Sequence, residues 1–221
     1  MKYIGLLFTL LFSLFAEADI YRYPDREVHV ATTVQVLDYT LHLRDSASRA
    51  DLFYKPNVDD VFIPRISYKD LITVSWAMGV GLEDEEKRLM GETTFNDIRV
   101  DFTYQSFAVE AYYNQYSGMY LENSQEVNPN LQDSDPRILR PDLYARGMGV
   151  TMTWIWDDKD FSLLHLTSQN ERQESWGGSF LFGGSINETH FSADSSIVPG
   201  TMQTQYDVLG SLQGGTFRTL S

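Results

Sequence analysis

The 221-residue chain contains no cysteine, so disulfide bonds cannot stabilise it. An exported protein without disulfides must hold its structure by a hydrophobic core, a metal ion or a closed sheet. Basic residues are also few, since 17 lysines and arginines stand against 31 aspartates and glutamates, for a net charge of −14. This balance gives no electrostatic basis for binding the phosphates of nucleic acid. We therefore expect no nucleic-acid partner.

Long apolar runs are scarce as well. The N-terminus has a lysine, an apolar stretch from Ile4 to Phe15 and the segment Ala16-Glu17-Ala18, which is the pattern of a secretory signal. The apolar stretch is shorter than the roughly 20 residues that a helix needs to cross a bilayer. We predict a signal peptide over residues 1–18 and a single β-barrel domain over residues 19–221. No later run is long enough for a membrane helix, so any membrane insertion must use strands.

What the chain does have is alternation of apolar and polar residues. Ile98, Val100 and Phe102 share one parity, and a second alternating run follows a break at Gln105-Ser106. Successive side chains of a strand point to opposite faces, so the pattern predicts a hairpin with one apolar and one polar face. The predicted strands are 28–43, 61–68, 71–80, 95–104, 107–116, 143–156, 160–169 and 177–188, with a weak ninth at 203–212.

The connections between these strands fall into two classes. Short turns are predicted at 69–70, 105–106 and 157–159, whereas the connections at 44–60, 81–94, 117–142 and 170–177 are longer and more charged. Outer-membrane barrels combine short periplasmic turns with long external loops. Aromatic residues near strand ends are typical of membrane interfaces, and here they are Tyr68, Tyr104, Tyr144, Trp154, Trp156 and Trp176. We predict an all-β, antiparallel up-and-down transmembrane β-barrel. A soluble periplasmic β-sandwich that binds a ligand or partner is the alternative.

The end of the chain does not fit a complete barrel. Single-chain bacterial barrels have even strand numbers, and eight strands precede residue 189. The segment from Gly210 to Ser221 has glycines at 210, 214 and 215 and no terminal aromatic residue, so we predict no closing strand there. About eight visible strands and a truncated C-terminus are the expectation. The alternative is that eight strands close and the tail hangs free.

Several segments, in order from Tyr54 to about Pro199, resemble one known family. The matching segments are Lys55-Pro56-Asn57, residues 66–71 (ISYKDL), residues 116–123 (YSGMYLEN), Arg140-Pro141-Asp142-Leu143, residues 160–162, residues 169–173, residues 178–184 and Asp194-Ser195-Ser196 before Pro199. The family is domain of unknown function 4421, whose members are exported bacterial proteins regarded as outer-membrane barrels. The resemblance implies this fold and location. It implies no activity and no functional residue, because the family has no assigned activity.

Candidate catalytic residues are sparse. A lipid hydrolase needs a serine and a histidine with an orienting group. His165 lies in a predicted strand, but Ser162 and Ser168 have the opposite parity and face the other side, which leaves Ser179 on a neighbouring strand. We interpret His165 as a lumenal side chain. His190 and Asp194-Ser195-Ser196 lack the GxSxG spacing, and we predict that they cap a turn.

We expect the charged residues to have structural roles rather than catalytic or ligand-binding ones. The run from Glu83 to Glu86 would suit divalent cations at a lipopolysaccharide surface, but a solvated loop is the expected role. Arg99, Asp101 and Glu110 share the polar parity of one hairpin, and we predict that they pair inside the lumen. No spacing typical of a metal or cofactor site is present. We therefore assign no catalytic, cofactor-binding or metal-binding residue and expect no cofactor.

These observations lead to one expected function and two alternatives. We expect a non-enzymatic outer-membrane β-barrel of a Gram-negative bacterium, acting as a structural protein or a narrow pore. Its partners would be outer-membrane lipid, lipopolysaccharide and the barrel-assembly machinery. The alternatives are a barrel enzyme that acts on outer-membrane lipid and a binding protein located in the periplasm.

Overall fold

The computed structural model describes residues 20–22, 27–45, 51–58, 60–69, 71–156, 171–173, 178–200 and 209–221. These segments contain twelve strands, two short helices and one 3-10 turn at Leu209–Ser211. The helices are α1 (Asp84–Met90) and α2 (Ser124–Val127). The strands are β1 (Ile20–Arg22), β2 (Val28–Val36), β3 (Leu41–Arg44), β4 (Asp51–Lys55), β5 (Asp60–Tyr68), β6 (Ile72–Gly79), β7 (Thr94–Tyr104), β8 (Phe107–Leu121), β9 (Ile138–Ile155), β10 (Glu171–Gln173), β11 (Leu181–Ser192) and β12 (Gly214–Leu220).

Ten of these strands form one antiparallel sheet. Eight of them lie side by side in the order β2, β5, β6, β7, β8, β9, β11, β12. The hairpin of β3 and β4 joins the sheet where β4 pairs with the end of β8, and β1 and β10 form a separate pair. The predicted all-β, up-and-down antiparallel fold is therefore confirmed. Within the described residues the sheet is open, with β2 and β12 as its edges.

Two of the predicted tight turns are present in the described residues. Tyr104 pairs with Phe107 across the turn between β7 and β8, and Gln105 has a φ of 49°. Lys69 has a φ of 52° in the turn between β5 and β6. Positive φ at a central residue is the backbone that two-residue hairpin turns require. These turns lie at one end of the sheet, called here the turn end. The opposite end, called the loop end, carries the longer connections.

Three predicted loops contain regular structure. The 44–60 segment holds β4, the 81–94 segment holds α1, and the 117–142 segment holds α2 together with the ends of β8 and β9. Likewise, the predicted strand 28–43 divides into β2 and β3. Period-two alternation is clear only where one face of a strand is apolar and the other polar. At the loop end the strands and connections pack around a core, so that contrast is lost from the sequence.

The last strand corrects another expectation. No strand was predicted between Gly210 and Ser221, yet β12 pairs antiparallel with β11 there. The glycines that argued against a strand permit the pairing. A Cβ at Gly214 would lie 2.6 Å from the backbone oxygen of Phe191, and a Cβ at Gly215 would lie 3.0 Å from the Phe191 ring. Small residues are therefore needed where β12 crosses Phe191.

Some predictions concern residues outside the described ranges. The signal peptide (1–18), the turn at 157–159 and the predicted strand 160–169 belong to this group. Among the described strands, β9 pairs directly with β11, so no further strand lies between the two in the sheet. The described end of the predicted ninth strand is a 3-10 turn. Neither described helix is long and apolar enough to cross a membrane.

The main hydrophobic core lies at the loop end, over one face of the sheet. We call this face the inner face and the structure that covers it the cap. The β3–β4 hairpin, α2 and the connection between β11 and β12 supply the cap side of this core. Its fully buried members include Leu52, Tyr54, Leu121, Leu143, Phe191, Ile197 and Val198. The cap therefore closes the inner face at the loop end.

A β-bulge allows β8 to reach the cap. The register of β8 against β9 shifts between Ser117 and Met119. Gly118 has a φ of 81°, and a Cβ there would lie 2.5 Å from the backbone oxygen of Glu92, so only glycine fits this position. The Gly118 carbonyl accepts a hydrogen bond from the Thr93 hydroxyl at 2.7 Å. The bulge thereby ties β8 to the start of β7.

Candidate functional site

The face opposite the cap, here called the outer face, carries a continuous apolar row at mid-height. Eight residues, one from each neighbouring strand, pair in register across the whole sheet. Several are largely exposed, with 72% of Val30 and 66% of Ile186 accessible. The row consists of Val30, Ile66, Val74, Val100, Ala111, Val150, Ile186 and Leu220. With the apolar side chains beside it on the same face, it forms what we call the apolar band. The next row toward the loop end is apolar at Trp76, Ile98 and Met148, but ends in the charged pair Glu188 and Arg218 at the β12 edge.

The inner face carries a polar row, which is displaced by one residue along each strand from the apolar row of the outer face. A second row crosses the same eight strands and is polar throughout. It consists of His29, Ser67, Thr73, Asp101, Glu110, Thr151, Ser185 and Ser221. The Thr73 hydroxyl donates to Ser67 at 2.9 Å. The sheet therefore has its polar side toward the cap and its apolar side toward the surroundings, which is the reverse of a soluble sheet over a core.

Aromatic residues border the apolar band at the turn end. Tyr104, Phe107, Trp154 and Phe182 form a row across four strands. The Trp154 and Phe182 ring centroids are 5.8 Å apart, and Trp156 lies 5.4 Å from Trp154. Aromatic rings of this kind are enriched where a membrane protein meets the interface between hydrocarbon and water.

A second group of aromatic residues borders the band at the loop end. The Trp76 indole donates to Asn96 Oδ1 at 2.9 Å, and the Tyr113 hydroxyl donates to Gln115 Oε1 at 2.9 Å. In each case the ring lies at the level of the apolar residues, and the polar atom points to the next, polar row. An apolar body with a wet polar tip is the arrangement that tyrosine and tryptophan adopt at such an interface.

The charged residues predicted to pair do lie together on the inner face. Arg99 Nη1 is 3.7 Å from Glu110 Oε2, and Asp101 is the register partner of Glu110. Tyr112 donates to Asn187 Oδ1 at 3.0 Å. We call this group the inner patch. Arg99 and Glu110 are each about half exposed, so the inner patch is hydrated rather than packed.

A buried arginine anchors the cap. The Arg140 side chain, only 8% exposed, forms a fork to the Asp142 carboxylate with two bonds of 2.9 Å. The same guanidinium donates to the backbone oxygens of Ser196 and Ile197, at 2.8 and 2.7 Å. The Ser195 hydroxyl donates to Asp142 at 3.1 Å. The guanidinium holds the pKa of Asp142 at about 2, well below its ordinary 3.8.

Four of the segments that carry the family resemblance converge in this cap. Asn57 donates to the Gly91 oxygen at 2.6 Å, and Lys55 pairs with Glu122 at 2.7 Å. Asn123 accepts from the backbone N–H of Phe53 at 3.2 Å. Tyr54 also donates through its hydroxyl to the backbone of the Ser195 segment, at Ile197. The segments 55–57, 116–123, 140–143 and 194–196 are separated by up to about 140 residues in sequence and all contribute contacts here, whereas residues 66–71 and 181–184 lie at the turn end. Sequence reasoning missed this convergence, because no single segment reveals its partners.

The candidate catalytic residues do not form a site among the described residues. His165 lies outside them, and the Ser179 hydroxyl donates to the Phe180 backbone oxygen at 3.3 Å. His190 Nδ1 lies 2.9 Å from the Thr216 hydroxyl, a contact between β11 and β12. The prediction that these residues cap a turn is wrong for His190, which lies within β11. Ser195 and Ser196 have structural bonds in the cap, to Asp142 and to the Gly210 backbone oxygen.

The acidic run at Glu83 forms a helix start. The backbone N–H of Glu83 donates to the Glu86 carboxylate at 3.0 Å. Glu85 forms a two-bond pair with Arg88, at 2.6 and 2.8 Å. Acidic residues in the first turn of a helix are stabilised by its dipole. No group of three or more histidines or carboxylates that could hold a metal ion occurs in the described ranges.

A family model described as domain of unknown function (DUF4421) matches residues 20–215. No curated protein and no solved structure matches the chain.

Asp142→Asn should weaken the cap in a pH-dependent way. Asp142 lies beyond the apolar band, and its depressed pKa stabilises the folded state above pH 3.8, with the stabilisation lost as the pH falls toward about 2. At about 1.4 kcal/mol per pH unit, the variant should lose about 2 kcal/mol at pH 7. Urea unfolding of the wild type and the variant at several pH values measures this difference. It should shrink as the pH approaches 2.

Asp194→Asn is the matched control, because Asp194 lies in the same cap region but is exposed. The control should unfold like the wild type at pH 7. Equal stability of Asp142→Asn and Asp194→Asn at pH 7 would contradict the anchoring role of Asp142.

Proposed function

The chain belongs to the family described as domain of unknown function (DUF4421), and from the geometry of its sheet we propose that it is a non-enzymatic, integral outer-membrane β-barrel protein. The supporting observation is the apolar row that crosses all eight neighbouring strands, one residue from a fully polar row on the other face. Lipid acyl chains would surround the apolar band, and the polar row would face the interior.

The size of the apolar band supports this proposal. Eight strands at about 4.8 Å spacing make a row about 34 Å wide. Along β9 and the residue that follows it, the apolar outer residues run from Met148 to Trp156, or about 26 Å at roughly 3.3 Å per residue. The resulting apolar surface is on the order of 900 Å², whereas soluble monomers rarely expose more than about 600 Å² in one patch. This favours a membrane protein over a soluble periplasmic sandwich.

The two edge strands of the sheet, β2 and β12, have the direction and height needed to pair with each other and close the sheet into a barrel. The outer row runs from Val30 on β2 to Leu220 on β12, so both edges reach the same height. β2 runs from the turn end to the loop end, and β12 runs the opposite way. Their pairing would be antiparallel and would give an even number of strands, as in bacterial outer-membrane barrels. Closure would satisfy backbone groups whose exposure to hydrocarbon costs several kcal/mol each.

The proposed orientation follows from the two ends. Short turns of outer-membrane barrels face the periplasm and long connections face outward, so the cap would lie at the cell surface. Outer-membrane lipid and lipopolysaccharide would then surround the protein, and the barrel-assembly machinery would insert it.

We place a structural role ahead of a narrow pore. The inner patch, with its charged and hydrated residues, favours a pore. However, Tyr116, Leu143 and Phe191 cover the inner face at the loop end and pack against the cap, so a path through the interior would be blocked there. The alternative of a lipid-cleaving enzyme depends on His165, and no described residue supports it.

Val150→Arg should impair insertion far more than Thr151→Arg. The two residues are adjacent on β9, but Val150 lies in the apolar row and Thr151 in the polar row beside Glu110. An arginine that faces lipid at the bilayer midplane costs about 2–4 kcal/mol, whereas an arginine at 151 would face a carboxylate. Refolding into phosphatidylcholine vesicles, followed by protease protection, measures insertion. Equal yields for the two variants would refute the membrane assignment.

The capped interior predicts that the folded protein is electrically silent. Planar bilayers that contain the wild type should show no steady unitary conductance, under conditions in which a known porin does. Reproducible steps that change in size with Glu110→Gln would instead identify a pore through the inner patch.

A further inference from the structure

A polar row limits the apolar band at the loop end of the outer face. Asn96, Gln115, Arg146, His190 and Thr216 pair in register across five neighbouring strands. Their side chains lie on the same face as the apolar row, two rows closer to the loop end. This is the depth at which lipid head groups would replace acyl chains in the proposed orientation.

Two arginines lie near this border. Arg146 belongs to the polar row, and Arg218 lies one row closer to the apolar row, in register with Glu188. Arg218 on β12 bonds Glu188 on β11 through its Nε, at 2.7 Å. Arg146 on β9 lies on the other side of Glu188, with 4.0 Å between Nη2 and Oε1. The three side chains together carry a net charge of +1. Because each guanidinium has five donors, both retain donors beyond those directed at Glu188.

The position of these arginines distinguishes them from the other cations of the eight-strand sheet. Arg65 and Arg99 lie on the inner face, and Arg140 is buried in the cap. By contrast, 78% of the Arg218 side chain and 36% of the Arg146 side chain are accessible on the outer face. Two accessible arginines at the border of an apolar surface are notable in a chain with a net charge of −14.

We propose that Arg146 and Arg218 bind a phosphate group of lipid A, the membrane-embedded part of lipopolysaccharide. This inference rests on the proposed function, because it needs the apolar band in the bilayer and the loop end at the cell surface. A guanidinium matches phosphate oxygens with two parallel hydrogen bonds. Glu188 lies between the arginines and neutralises one of their charges, and the remaining positive charge favours an anion. Lipid A is the anionic lipid of the outer leaflet at this depth.

Binding of lipid A to the purified protein in neutral detergent micelles tests the proposal. The variant Arg146→Gln/Glu188→Gln/Arg218→Gln removes the cluster without leaving a lone carboxylate. It should bind lipid A about tenfold or more weakly than the wild type, because charge-assisted hydrogen bonds are lost. Glu188→Gln alone should bind at least as tightly as the wild type. Lys69→Gln, which removes an accessible cation at the turn end, should bind like the wild type.

The ligands are compared in three arms: lipid A, lipid A without its phosphates, and inorganic phosphate. Only the first should bind tightly. Equal binding of the dephosphorylated lipid, or of inorganic phosphate, would overturn the assignment to a lipid phosphate. So would triple-variant affinity within twofold of the wild type.

Insertion into phosphatidylcholine vesicles without lipid A separates this inference from the proposed function. The wild type and the three variants should insert equally there. Normal insertion with phosphate-independent binding would overturn this inference alone. Failure of the wild type to insert would overturn the proposed function and this inference with it.

Discussion

The structure depends on one arrangement, which is a sheet with its polar rows on the inner face and its apolar rows outside. Val150 and Thr151 are neighbours on β9, yet one belongs to a wholly apolar row and the other to a wholly polar row, each eight strands wide. In water this arrangement leaves a large apolar surface uncovered, whereas in a bilayer it is the stable one. The aromatic borders, the tight turns and the positions of charged residues are all consistent with that constraint.

The cap has the opposite arrangement, because its apolar side chains are buried inside it. There, tyrosine and aliphatic side chains pack into a core of the kind found in soluble proteins, and the buried arginine is paired. The Arg140 guanidinium bonds Asp142 and two backbone oxygens, while Gly118 permits the bulge that brings β8 into contact. The fold thus joins a sheet whose outer face is apolar with a cap whose apolar side chains are buried. Four of the segments that carry the family resemblance lie at this junction.

Sequence reasoning succeeded where the chemistry of the two faces differs. The alternation at Ile98, Val100 and Phe102 predicted β7, the turn at Gln105 and the apolar outer face, because period-two patterning reports a strand between two environments. The pairing of Arg99 with Glu110 followed from the same parity. No comparable signal exists at the loop end, where the strands and connections pack around a core. There β4 and the two helices were predicted to be loops.

The errors at the chain end and in the cap have a different cause. Gly214 and Gly215 were interpreted as evidence against a strand, but they are needed because β12 passes within contact distance of Phe191. The requirement for glycine comes from Phe191, about 23 residues earlier in the chain. Local strand propensity does not include such a distant contact. Likewise, Asp142 and Ser195 are separated by more than 50 residues, and only the folded cap brings them together.

Accessibility along β9 tests the central claim most directly. Since the chain has no cysteine, single cysteines can be placed at residues 147–154 and spin-labelled in the protein reconstituted into bilayers. Collision rates with oxygen, which concentrates in hydrocarbon, should be high at positions 148, 150, 152 and 154. A water-soluble nickel chelate should instead prefer the positions between them. High nickel accessibility at 150 and 152, without alternation, would show that the apolar face is not in lipid.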